Sequence, residues 1–153
     1  MRHSSTLSRL LVAGVLGGFA AGAAAQDEMP LSALSGTWLG KRTSKALGKC
    51  SMSEPEAPAL LRLVVDDEGR IEIQNINVTG TVNQSWQVNV SNPRAWSRCG
   101  EKESTYALRY SGLFFKKGDA LHLELEGENT PCPPDCSFLV QYRVKKQDVE
   151  DPE

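Results

Sequence analysis

The stretch LLRLVVDDEGRIEI (residues 60–73) is the most informative for the fold, because apolar residues recur at every second position on both sides of a turn sequence. Alternation with a period of two is typical of a half-buried β-strand, and an acidic cluster ending in glycine indicates a tight turn. The stretch therefore predicts a β-hairpin that turns at DDEG (residues 66–69). The residues on its apolar face are Leu61, Leu63, Val65, Ile71 and Ile73.

The same alternation recurs along the chain, and helix signals are scarce. The further strand candidates are TWLGKRT (37–43), SWQVNV (85–90), TYALRYSG (105–112), ALHLELE (120–126) and SFLVQYRVKK (137–146). The isoleucine and valine of INV (76–78) fall out of phase with Ile71 and Ile73, so we expect a bulge near Gln74–Asn75. The pattern predicts an all-β domain over residues 36–146, an antiparallel meander barrel of seven or eight strands, with a two-sheet β-sandwich as the alternative.

The first 25 residues have the features of a secretory signal peptide. Two arginines precede a short apolar run, and the small-residue triplet at Ala23–Ala25 resembles a cleavage site. Removal of this segment changes the formal net charge from −2 to −4, which gives no indication of a nucleic-acid partner. We expect an exported protein, periplasmic or extracellular, with a short lead (26–35), the barrel, a frayed acidic tail (147–153) and no membrane-spanning segment after cleavage.

All four cysteines follow the signal segment, and an even number in an exported chain favours disulfides. Cys132 and Cys136 are separated by a bent segment containing two prolines, which favours a local bond between them and leaves Cys50 to pair with Cys99. The crossed pairings stay open. The three-residue spacing and the absence of nearby histidines argue against a zinc site or a redox pair.

The sequence LSGTW contains the tripeptide Gly36-Thr37-Trp38, which resembles the G-x-W motif of lipocalin and avidin-like (calycin-type) small β-barrels. It also resembles the start of small periplasmic barrel inhibitors of metalloproteases. The resemblance implies that Trp38 plugs one end of the barrel and that a basic residue of the last strand packs over it. Arg143 is a candidate for that residue, although its phase is opposite to that of Phe138, Val140 and Tyr142. No ligand-binding residue can be carried over.

Few residues offer chemistry. After the signal segment the one histidine is His122, which shares the polar face of its strand with Glu124 and Glu126 and has no nucleophile near it in sequence. We therefore expect neither an enzyme nor a cofactor or metal site.

The best contact candidate is Trp96 between Arg94 and Arg98, in a segment without strand pattern that we predict to be a loop. The sequence thus indicates a monomeric binding protein whose ligand is a small apolar molecule in the barrel or a protein at its rim. A structural envelope-associated protein and a periplasmic protease-inhibitor-like barrel are the alternatives. A contact role predicts that Trp96 is exposed.

Overall fold

A short 3₁₀ helix, Leu31–Leu34, leads into eight antiparallel strands in the computed structural model, which describes residues 29–50, 54–132 and 136–148. The strands close into one barrel in sequence order, so the meander barrel is confirmed and the sandwich is excluded. The strands are β1 (Gly36–Gly48), β2 (Glu56–Val65), β3 (Arg70–Ile73), β4 (Val78–Val82), β5 (Gln87–Cys99), β6 (Lys102–Lys117), β7 (Ala120–Cys132) and β8 (Cys136–Lys146).

The hairpin predicted for residues 60–73 is present. β2 and β3 pair with Leu63 opposite Ile73, and the turn between them places Gly69 at a φ of 83°, a conformation that glycine adopts without steric cost. The expected bulge near Gln74–Asn75 is wrong. A second 3₁₀ helix, Gln74–Ile76, with Asn77 in the left-handed region, instead turns the chain back into β4. This turn explains why the apolar phase changes there.

One end of the barrel, which we name the closed end, carries the N-terminal 3₁₀ helix and the β2–β3 turn. Its interior is filled by aliphatic side chains and two aromatic ones, as expected for a barrel of eight strands. Trp38 is fully buried and packs on Phe114, with ring centroids 5.3 Å apart. The Trp38 indole N–H donates a hydrogen bond to the Leu34 carbonyl at 3.1 Å, which fixes the N-terminal 3₁₀ helix against the Trp38 side chain.

The basic residue over the closed end is Lys146. It lies directly opposite Trp38 in the pairing of β8 with β1, and its ammonium donates a hydrogen bond to the Ala33 carbonyl. Arg143, the residue suggested by the resemblance, lies on the outer wall with a side chain that is 71% exposed, 3.8 Å from Glu124. Arg143 is therefore not the covering residue, because its phase along β8 directs it away from the interior.

The opposite end, which we name the rim, has an uneven wall because β3 and β4 are short. β4 pairs with β5 only as far as Ser91, and β3 pairs with β2 only from Leu63 onward. The rim portions of β2 and β5 therefore each have one strand edge without a paired strand among the described residues. On β2 that edge is capped by Asn75, whose side chain accepts from the Arg62 N–H at 2.9 Å and donates to the Leu60 carbonyl.

Candidate partner-binding rim

Two disulfides brace the rim, and the expected pairing of cysteines is wrong. Cys50 is bonded to Cys136 and Cys99 to Cys132, with Cα atoms 5.0 and 5.6 Å apart. The register of β1 with β8 explains the first bond. Cys136 lies opposite Gly48, the last residue of β1, and Cys50 follows Gly48 by two residues. The bonds therefore join different strand ends rather than closing the C-x3-C turn, whose residues 133–135 lie outside the described residues.

The segment around Trp96 is strand rather than the predicted loop. It forms the last part of β5 and pairs with β6, with Trp96 opposite Thr105 and Cys99 opposite Lys102. The strand signal is hidden in the sequence by an irregularity between Asn92 and Ala95, which shifts the alternation by one residue. Beyond it Ala95, Ser97 and Cys99 face inward, a pattern that is readable once a bulge at Pro93–Arg94 is allowed.

The rim arm, defined as residues 92–108 of β5 and β6, is tied to the end of β7. Besides the Cys99–Cys132 bond, the Ser97 hydroxyl lies 3.8 Å from the Cys132 sulfur, and the Ala95 side chain of the arm is buried. β6 and β7 pair only from Ser111 toward the closed end, so the arm separates from β7 above that point.

Asn129 fills the point of separation. It is 4% exposed, and its side-chain oxygen accepts from the Arg109 backbone N–H at 3.3 Å while its amide donates to the Tyr110 hydroxyl at 3.3 Å. A Cβ on Gly127 would collide with the Arg109 carbonyl, so the close approach of β6 to β7 beside Asn129 requires glycine. Asn129 thus substitutes a side chain for the interrupted strand ladder.

Tyrosines occupy the interior below the arm. The rings of Tyr110 and Tyr142 meet edge to face with centroids 5.5 Å apart, and both residues are buried. Burial raises the pKa of Tyr110, and the neighbouring Tyr142 adds to that effect. Burial also raises the pKa of Tyr106, so the hydroxyls of Tyr106 and Tyr110 stay neutral at physiological pH. These neutral, packed tyrosine side chains support the rim arm from the barrel interior.

The outer face of the rim arm carries Arg94, Trp96 and Arg98 at alternate positions, so all three project from the same side of β5. Trp96 is 59% exposed, and both arginines are exposed. This is the exposure that a contact role requires of Trp96. In the pairing of β5 with β6, Thr105 lies opposite Trp96 and Glu103 lies opposite Arg98. We name these three residues of β5 the rim triplet.

The described residues form grooves on the outer wall. A groove of about 580 Å³ runs over β4 to β7, and a smaller one of about 210 Å³ lies over β6 to β8. Outward side chains on the floor and walls of the larger groove are polar, among them Asn89, Arg109 and Glu128. The larger groove therefore lacks the apolar lining that a small apolar ligand requires.

Among the residues considered for catalysis, Glu124 and Glu126 line the outer-wall grooves, whereas His122 lines neither of them. His122 stacks on Phe115 on the outer wall, with ring centroids 5.3 Å apart, while Glu124 lies beside Arg143 and Glu126 accepts from Gln141. Within the described ranges no three His, Cys, Asp or Glu residues are grouped so that they could hold a metal ion. Over the same ranges, no helix has the length and apolar character needed to cross a membrane.

Comparison of the chain with family models, with curated proteins and with solved structures finds no match. The geometry of the chain itself is therefore the basis for inferring its function.

Proposed function

We propose that this protein is an exported, monomeric β-barrel that binds a protein partner through the rim triplet. The observation that carries the proposal is that Trp96 is 59% exposed on β5, a strand whose end is tied to β7 by a disulfide. Tryptophan and arginine are among the residue types most enriched at interface hot spots, because they combine a large apolar area with directed hydrogen bonds. Two arginines flanking one tryptophan on one strand face form such a contact.

The attachment of the arm supports this role. Binding costs free energy when loops and side chains must be ordered, and an arm already fixed by the Cys99–Cys132 bond and by Asn129 has less order to lose. The secretory features of residues 1–25 and the two disulfides support export to an oxidising compartment.

A small apolar ligand inside the barrel is less well supported. Trp38 and Phe114 fill the closed end, and Tyr110 and Tyr142 are buried below the rim. Catalysis is also less well supported, because His122, the one histidine after the signal segment, stacks on Phe115 on the outer wall.

Site-specific photo-crosslinking in exporting cells tests the proposal. A benzophenone amino acid replaces Thr105, the cross-strand neighbour of Trp96, so that the triplet stays intact. We expect one discrete crosslinked product. It should be lost when the Thr105 probe is combined with W96A, or with R94E and R98E together. The matched control places the same probe at Leu113, an exposed outer-wall residue of the same strand β6. Equal crosslinks at both positions, or a Thr105 crosslink insensitive to W96A, would contradict the proposal.

A further inference from the structure

The edge of β5 beside the rim triplet carries backbone groups that no strand of the described chain uses. β4 leaves β5 after Ser91, and in the described ranges no strand pairs with the far side of Pro93–Cys99. A strand edge of this kind is a ready template for pairing with another chain. The same protein caps its other rim edge, on β2, with the Asn75 side chain.

The register identifies which groups are open. Cys99 and Lys102 close the two-residue turn between β5 and β6, so they form a hydrogen-bonded pair, and the pairs alternate from there. Trp96 and Arg98 then fall at positions whose backbone N–H and C=O point away from β6. Arg94 follows the same alternation, and its N–H is taken by the Asn92 side-chain oxygen at 2.9 Å. Within the described residues, no side chain bonds to the backbone of Trp96 or Arg98.

Charge indicates what would pair there. In a strand added to this edge, the residues opposite Arg94, Trp96 and Arg98 project on the outer face beside them. Acidic residues are favoured opposite the two arginines, and an apolar residue is favoured opposite Trp96. The molecule as a whole is mildly acidic, which disfavours binding of an acidic segment at other parts of its surface.

On the basis of the proposed function, we propose that the partner contributes an extended acidic segment that adds to β5 as an antiparallel strand. Such strand addition obtains affinity from main-chain hydrogen bonds and specificity from alternate side chains. The segment would carry acid, apolar residue and acid at alternate positions, and would exchange backbone hydrogen bonds with Trp96 and Arg98.

The probe is the synthetic peptide acetyl-Thr-Glu-Thr-Val-Thr-Glu-Thr-amide, titrated into the full disulfide-bonded protein while backbone amide signals are followed by NMR. We expect shifts centred on the amides of Trp96 and Arg98, with slowed hydrogen exchange there. N-methylation of the valine and both glutamates, whose N–H groups would face β5, should weaken binding by at least about tenfold. N-methylation of the threonines, whose N–H groups would face away, is the matched control and should change affinity less than about twofold.

Charge is tested separately. A peptide with lysine in place of glutamate should bind at least about tenfold more weakly, and R94E with R98E should reverse that preference, whereas R62E on the wall of β2 should not. Tighter binding of oligothymidylate than of the acidic peptide would overturn the proposal in favour of a nucleic acid.

Two further outcomes would overturn strand addition while separating it from the proposed function. If both N-methylated peptides bind alike, the rim attracts acid by charge alone. If no peptide shifts Trp96 or Arg98, the edge is not a pairing site. In either case the Thr105 crosslink decides whether a protein still binds at the rim.

Discussion

The closed end and the rim of this barrel are stabilised by different means. At the closed end all strands are present, the interior is apolar, and Trp38 and Phe114 are almost completely buried. At the rim β3 and β4 are missing from the wall, and both disulfides and the buried polar residue Asn129 are found there. At the rim, covalent bonds and a side-chain hydrogen-bond network therefore supplement the packing of the strands. There the edge of β5 has no paired strand among the described residues, and Trp96 is 59% exposed.

The two tryptophans Trp38 and Trp96 give the largest expected difference between the two ends. W38A should lower the free energy of unfolding by about 3–5 kcal/mol, since it removes a large buried side chain and leaves a cavity. W96A should change it by less than about 0.5 kcal/mol, because that ring is mostly in solvent. Urea unfolding of both variants checks this, and equal losses would show that Trp96 also supports the fold.

Removal of a disulfide is the next largest change. C99S combined with C132S should cost about 2–4 kcal/mol, because the open chain gains conformational freedom when unfolded. C50S combined with C136S opens a longer segment, 86 rather than 33 residues of separation, and should cost slightly more. Urea unfolding without reductant measures both. Stability unchanged in either double variant would mean that packing holds the rim after all.

Asn129 gives the smallest of the three effects. N129L keeps a similar volume but leaves the part-buried Arg109 N–H and the buried Tyr110 hydroxyl without their Asn129 partner, which should cost about 1–3 kcal/mol. N89L, at an exposed asparagine of β5, is the control and should cost less than about 0.5 kcal/mol. Hydrogen exchange at the Arg109 amide should accelerate in N129L alone. Unchanged exchange there would show that Asn129 does not hold the rim together.

The closed end could be predicted from the sequence, because its strands alternate without interruption. The hairpin of residues 60–73 agrees with a period of two, and the burial of Trp38 agrees with what the G-x-W resemblance implies. The rim could not be predicted in full, because a bulge at Pro93–Arg94 shifts the alternation and makes a strand look like a loop. The cysteine pairing depends on which strand ends are neighbours, a property of the register that the spacing of Cys132 and Cys136 does not contain.

The candidate contact residues Arg94, Trp96 and Arg98 are recognisable in the sequence by type, and the structure adds how they are presented. In a loop, no common direction of the three side chains is implied. On a strand they share one face, and no strand in the described part of the chain pairs with the edge beside them. That a partner binds there stays a prediction.

Binding of a protein by the rim triplet is decided by the yield of the Thr105 photo-crosslink in cells, compared between the unaltered triplet and W96A. We predict one discrete crosslinked protein that disappears in W96A and is weakened by C99S with C132S, because the arm then loses its attachment to β7. A crosslink of equal yield in W96A, or none at Thr105 while the protein is folded and exported, would show that the rim triplet does not bind a protein.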